Sequence, residues 1–203
     1  MVSTNMETVP LTKGEKTRRH VLETAARLIN VKGYHNTSMN DIIDATGVKK
    51  GNLYFHFSCK EDLVFELVEH AKKEYGIYLC KNISGENSRE KLTSLMEAVG
   101  RFHSQNGFIG GCVFGNMALE VGDENPRIAE LVRSVFMDWA AMIEALVRRG
   151  IESGEIPGKT DPAAAAWHMI ATLEGAVMMA KLTKRESDFT AICGSFIDLL
   201  FAC

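Results

Sequence analysis

Ser38–Phe57, SMNDIIDATGVKKGNLYFHF, has the pattern of two short helices hinged at Gly47. Ser38 is a good N-cap, and Asp41, three residues on, completes a capping box with its carboxylate at the positive end of the first helix. Ile42, Ile43 and Ala45 give that helix an apolar side. Gly47 supplies the left-handed backbone that a tight turn between helices needs. In the second helix Val48, Leu53, Phe55 and Phe57 are expected to anchor to a core. Lys49, Lys50, Asn52, Tyr54 and His56 are then left on other faces. This is the layout of a helix-turn-helix, whose second helix lies in the major groove of DNA.

The flanking sequence extends an all-α pattern. Residues 1–13 are polar, contain Pro10 and show no period, so a disordered tail is expected there. From Glu15, apolar residues recur at three- and four-residue steps (Val21, Leu22, Ala25, Leu28, Ile29), which marks an amphipathic helix ending near Gly33. Ser58 with Glu61 reads as a further capping box opening a helix to about Leu79. Helices are also expected over about 89–103, 114–121, 126–153, 162–182 and 187–201. Pro126 and Pro162 stand at first helical positions. The segment GFIGGCVFGN (107–116) carries four glycines among apolar residues, which weakens regular structure. The expected organisation is a tail over 1–13, a DNA-binding domain over 14–60 and a helical effector-binding and dimerisation domain over 61–203.

Charge divides the chain at the same place. Residues 1–60 hold nine Lys/Arg against five Asp/Glu, a net +4; the rest hold fourteen against twenty-one, a net −7, together the −3 of the whole 203-residue chain. A basic N-terminal region beside an acidic body suits contact with a polyanion. The five cysteines (Cys59, Cys80, Cys112, Cys193, Cys203) form no C-x-x-C pair, which fits a reduced, cytoplasmic setting. No uninterrupted apolar run reaches the ~18 residues of a membrane span, and no membrane partner is expected.

The run from Thr17-Arg18-Arg19 through Ala25-Ala26, Gly33-Tyr34, Thr37-Ser38 and Ile42-Ile43 continues in Gly47-Val48, Lys50-Gly51, Leu53-Tyr54, His56-Phe57 and Lys60-Glu61-Asp62-Leu63. It resembles the TetR family of one-component transcriptional repressors over about fifty residues. The resemblance implies a homodimer, joined through its last two long helices, on a palindromic double-stranded operator. It also implies an inducer pocket enclosed by the central helices. The chain departs from the family at Lys49, where a Ser or Thr often caps the recognition helix. The resemblance and the side-chain chemistry together nominate Ser38, Lys49, Tyr54, His56 and Lys60 for the phosphate backbone. Lys50 and Asn52 are nominated for base edges, with Gly51 allowing close approach.

For a small apolar or electrophilic effector, the sequence offers Tyr75, Phe102, Phe108, Trp139, Met142 and Trp167 as apolar wall, with His103, Asn116 and His168 as polar fixers. Cys112 resembles a Gly-Cys helix start found in a subgroup of the family. At a helix N-terminus a thiol pKa falls, which would suit a redox or electrophile sensor. Enzymatic chemistry has little support. A thiol hydrolase at Cys112 would need an oxyanion motif or nucleophile elbow that the chain lacks, the six histidines show no H-x-x-x-H spacing, and residues 107–115 lack the phosphate-loop pattern. No catalytic residue, metal ligand or cofactor is nominated. An activator, or a regulator of the same fold working without a ligand, would differ only in whether a compound releases the operator.

Overall fold

Among residues 12–202, which the computed structural model describes, nine helices form and no strand. The region expected to be a disordered tail lies outside the described residues up to position 11. Its last two residues behave otherwise. Thr12 caps α1 (Lys13–Lys32) in a capping box, the Glu15 amide donating to Thr12 Oγ1 at 3.3 Å and the Thr12 amide to Glu15 Oε2 at 2.7 Å. Val21, Leu22, Ala25 and Ile29 are the buried stripe of this helix.

α2 (Met39–Thr46) and α3 (Lys50–His56) are the two helices of the hinge motif. Ser38 and Asp41 form the expected capping box, and Gly47 ends α2 at φ 68°, ψ 9°, its amide donating to the Ile43 carbonyl. A side chain at that φ would be strained, so glycine fits the turn. Ile42 and Leu53 are buried, whereas Ala45 is exposed rather than part of the apolar side. Two further expectations need correction. Phe55 is not core: it is 82% exposed. Helical geometry explains this, because Leu53 and Phe57 share one face at i and i+4 while Phe55 falls on the other side. The capping box at Ser58 is also replaced. α4 (Lys60–Asn82) is capped by Cys59, whose sulfur accepts from the Asp62 amide at 3.5 Å, and the Ser58 hydroxyl donates to the Asp62 carboxylate.

The body follows with α5 (Ser88–Ser104), α6 (Val113–Val121), α7 (Pro126–Glu152), α8 (Pro162–Thr183) and α9 (Glu186–Leu200). α7 packs on α4, α5, α6 and α8, and α9 closes over α5 and α8. Between α5 and α6 the chain turns through Gly107, Phe108, Gly110 and Gly111, all at positive φ. Phe108 tolerates φ 59° because its ring is buried, 5.9 Å from Phe189 and stacked 6.5 Å from His103. α8 is long and apolar enough by composition to cross a membrane, but its core face (Ala166, Met169, Ile170, Val177, Ala180) is buried within the body. The apolar side chains it leaves out are Trp167, Met178, Met179 and Leu182, and α9 adds Leu199.

Candidate DNA-reading head and effector cavity

The exposed side of α3 carries Lys49, Lys50, Asn52, Tyr54 and Phe55, with His56 half-buried beside them. The Lys50 ammonium lies 6.0 Å from the Tyr54 ring, and the His56 ring meets Phe55 edge-on at 5.2 Å. Lys49 occupies the N-cap position and makes no side-chain cap. Its ammonium is therefore not spent on the helix, and the surface is cationic and aromatic together. Ser38 is exposed, but its hydroxyl is engaged with Asp41, which Lys32 also meets at 3.2 Å. The hydrogen bonds from Ser38 hold the Asp41 carboxyl well below the usual range. Lys60 is drawn inward: its ammonium donates to the Tyr34 carbonyl and sits 4.0 Å from the centre of the Tyr34 ring. Among the nominated DNA residues, Lys60 is thus tied to α1's exit rather than open on the reading surface.

A polar seam joins this head to the body. The Tyr34 amide donates to Glu120 Oε2 at 2.6 Å, and His35 Nε2 donates to the Glu120 carbonyl at 3.1 Å. Asn116 donates to Asn30 Oδ1 at 2.6 Å and to the Gly110 carbonyl at 2.9 Å. Asn30 in turn donates to the Gly111 carbonyl at 2.9 Å, and Lys181 to the Gly110 carbonyl at 2.9 Å. Asn116 is consequently part of the joint between α1 and α6, not of the cavity wall.

Inside the body, Tyr75, His103, Cys112, Trp139 and Met142 converge on one cavity, as nominated. Leu79, Leu95, Val99, Ile143, Ile170, Leu173, Val177 and Glu174, none of them among the expected wall residues, complete it. The enclosed space is about 20 Å³, room for about one water. Tyr75 is the hub of an aromatic cluster, with Phe102 at 4.7 Å and Trp139 at 5.4 Å; Phe114 meets Trp139 edge-on at 5.5 Å. A second cleft of about 390 Å³ lies outside it, between Ala26, Arg27 and Asn30 of α1 and Tyr78, Phe102 and Phe114 of the body. Tyr75, His103 and Cys112 are walls of both spaces.

Besides Asn116, three nominated effector residues fall elsewhere. Phe108 packs on His103 and Phe189 beneath the α5–α6 turn. Trp167 is 44% exposed and His168 is exposed, both on the outer side of α8. Periodicity is the reason: Ala166, Met169, Ile170, Leu173 and Val177 take the inward face, and positions 167 and 168 point away from it. Glu174 was legible in hindsight as the one charged residue within the apolar run WHMIATLEGAVMMA (167–180).

The electrostatics of the cavity run against a reactive thiol. Cys112 does stand at the N-cap of α6, but burial pushes its thiol well above the ordinary value, and the neighbouring Glu174 carboxylate adds to the rise. Both outweigh the helix end that was expected to lower it. Burial likewise raises Glu174 and pushes His103 down to about 4, so His103 is neutral near pH 7. Among the described residues, no group of His, Cys, Asp and Glu is placed to hold a metal ion.

Comparison with known proteins agrees with this architecture. Residues 21–67 match the family described as bacterial regulatory proteins, tetR family, and residues 88–196 match the tetracyclin repressor-like C-terminal domain. The crystal structure of a TetR transcriptional regulator from Chloroflexus aurantiacus is 32% identical, with 92% of this chain and 95% of that one covered and a TM-score of 0.84. The HTH-type transcriptional regulator LmrA of Bacillus subtilis is 27% identical over 191 residues, covering 90% of this chain and 96% of LmrA. The fatty acid metabolism regulator protein of the same organism is 23% identical over 184 residues, covering 89% and 91%. With matches over both the reading head and the body, and a relative of this identity along nearly its whole length, the chain belongs to the TetR family of DNA-binding transcriptional regulators.

Proposed function

We propose that the protein is a homodimeric repressor that leaves a palindromic operator when a small, largely apolar effector enters the body. One observation carries this reading: α4 begins at the end of the recognition helix and contributes Tyr75, the hub of the aromatic cluster, to the cavity wall. Effector and DNA would therefore act on the two ends of one helix. An effector favouring a conformation with wrongly spaced recognition helices shifts the population off DNA. Trp167, Met178, Leu182 and Leu199, exposed on α8 and α9, support a dimer through those helices, because apolar area of this kind is normally covered.

On DNA, Lys49 and Tyr54 serve the phosphate backbone and Lys50 and Asn52 the base edges, with Gly51 letting the helix lie close. Phe55, exposed beside them, is suited to apolar contact with a thymine methyl. The name of the Bacillus subtilis fatty acid regulator associates that protein with fatty acid metabolism. Here a free fatty acid anion would meet the Glu174 carboxylate on the cavity wall, which disfavours it. The raised thiol pKa of Cys112 lends no support to sensing through a thiolate.

The test starts with operator selection from genomic fragments, followed by binding titrations across salt with the selected site. Several neutralised phosphates per dimer should weaken binding steeply between about 50 and 200 mM salt. An affinity that stays flat over that range would refute the phosphate-bound reading head. Release of the operator by a compound in cell extract distinguishes an inducible repressor from a regulator that works without a ligand.

A further inference from the structure

Resting on the effector reading above, we infer that the ligand is an organic cation with an apolar body, its charged head held by Glu174 and by the faces of Tyr75 and Trp139. Among the described residues, Glu174 brings the only carboxylate to the inner cavity wall, and no lysine or arginine lines it. Beside it on the wall stands the Cys112 thiol, a weak partner for a carboxylate. Half-buried on the cavity wall, this carboxylate is partly desolvated, and a positive group that arrives relieves that cost. The nearby lysine on the same helix, Lys181, is committed to the Gly110 carbonyl, and neutral His103 supplies no positive charge.

The carboxylate is also placed rather than incidental. Glu174 Oε2 lies against Gly115 in the first turn of α6, where a Cβ would collide with it. Gly115 thus makes the space that lets the side chain reach the cavity. Around it, Tyr75 and Trp139 stand 5.4 Å apart at 51°, with Phe102 and Phe114 adjoining. Electron-rich ring faces beside a single carboxylate attract a cation and hold its hydrocarbon part equally well. The inner cavity of about 20 Å³ takes no more than a head group's leading edge until Tyr75, His103 and Cys112 move. The outer cleft of about 390 Å³ shares those three side chains and has room for the body of the ligand. A ligand spanning both would touch Ala26, Arg27 and Asn30 of α1, next to the seam that fixes the reading head.

Calorimetric titration of the full-length protein with benzyltrimethylammonium, its neutral isostere neopentylbenzene and the anion 3-phenylpropionate tests the inference. The cation should bind at least about tenfold more tightly than the isostere, and the anion should not compete. Glu174→Gln should abolish that preference while leaving the isostere's affinity within about twofold. Gly115→Ala is the second variant: it keeps the charge, favours the helix and displaces the carboxylate, so cation affinity should fall with the melting temperature maintained. Equal binding of cation and isostere to the wild type, or cation affinity untouched in Glu174→Gln, removes the charge inference and leaves the effector cavity standing. Absence of binding by both cation and isostere overturns the cavity reading along with it.

Discussion

The reading head and the body place their functional groups in opposite ways. On α3 the candidate DNA-contacting groups are exposed and close together in sequence, with Leu53 and Phe57 buried beneath them. In the body, Tyr75, His103, Cys112, Trp139 and Glu174 come from α4, α5, the N-cap of α6, α7 and α8 and line one cavity. A surface that reads DNA can thus be assembled from one short helix, because the ligand supplies the other half of the contact. An interior cavity exists only when the whole bundle packs. The two regions should therefore fail differently when perturbed.

Leu53→Ala should have the largest effect. Leu53 is fully buried in a head with a small core, and truncation of such a side chain costs about 2–5 kcal/mol. Both tryptophans, Trp139 and Trp167, lie in the body, so their fluorescence reports that region alone. In denaturant, DNA binding by the variant should be lost well before the tryptophan signal changes. Coincident transitions would show that head and body unfold as one unit and would erase the contrast.

Asn52→Ala should come next, relaxing preference at one base pair by about 1–3 kcal/mol. Tyr54→Ala should weaken binding to all sequences alike. Competition binding against single-base operator variants checks the pair, and the same profile for both substitutions would mean that backbone and base roles are not divided between them.

The body has its own signature in pH. His103 titrates near 4 in the folded chain against 6.5 for an ordinary histidine, because burial disfavours the charged ring. The unfolded chain therefore takes up the proton first, and stability is lost as pH falls from about 6.5 toward 4, by about 2 kcal/mol at pH 5. His103→Gln should remove most of that loss while changing stability little at pH 7.5. Denaturation followed by tryptophan fluorescence at both pH values checks it. An unchanged slope with pH would show that the imidazole is better solvated than its burial implies.

Much of the fold could be read along the chain because it rests on local chemistry. Ser38 and Asp41 cap α2, Gly47 turns it, Pro126 and Pro162 open α7 and α8, and each of these depends on residues within one helical turn. Phe55 shows where local reading goes astray: its apolar type suggested core, while its position opposite Leu53 and Phe57 puts it outside. The start of α4 also went astray: Ser58 and Glu61 suggested a capping box, whereas the bond from the Asp62 amide goes to Cys59.

The candidate effector site was less legible. The residue types were right for a cavity, and Tyr75, His103, Cys112, Trp139 and Met142 do meet in one. Asn116, Phe108, Trp167 and His168 share the same chemistry but serve the α1–α6 joint, the α5–α6 turn and the outer face of α8. The sequence by itself determined the helices, several of their caps and the lysines and Tyr54 exposed on α3, because those follow from contacts three or four residues apart. Only the tertiary structure decided which side of α8 faces inward, brought Glu174 against Gly115, and reversed the expected pKa shift at Cys112. Those outcomes depend on burial and on charges from distant helices, which have no trace in local spacing.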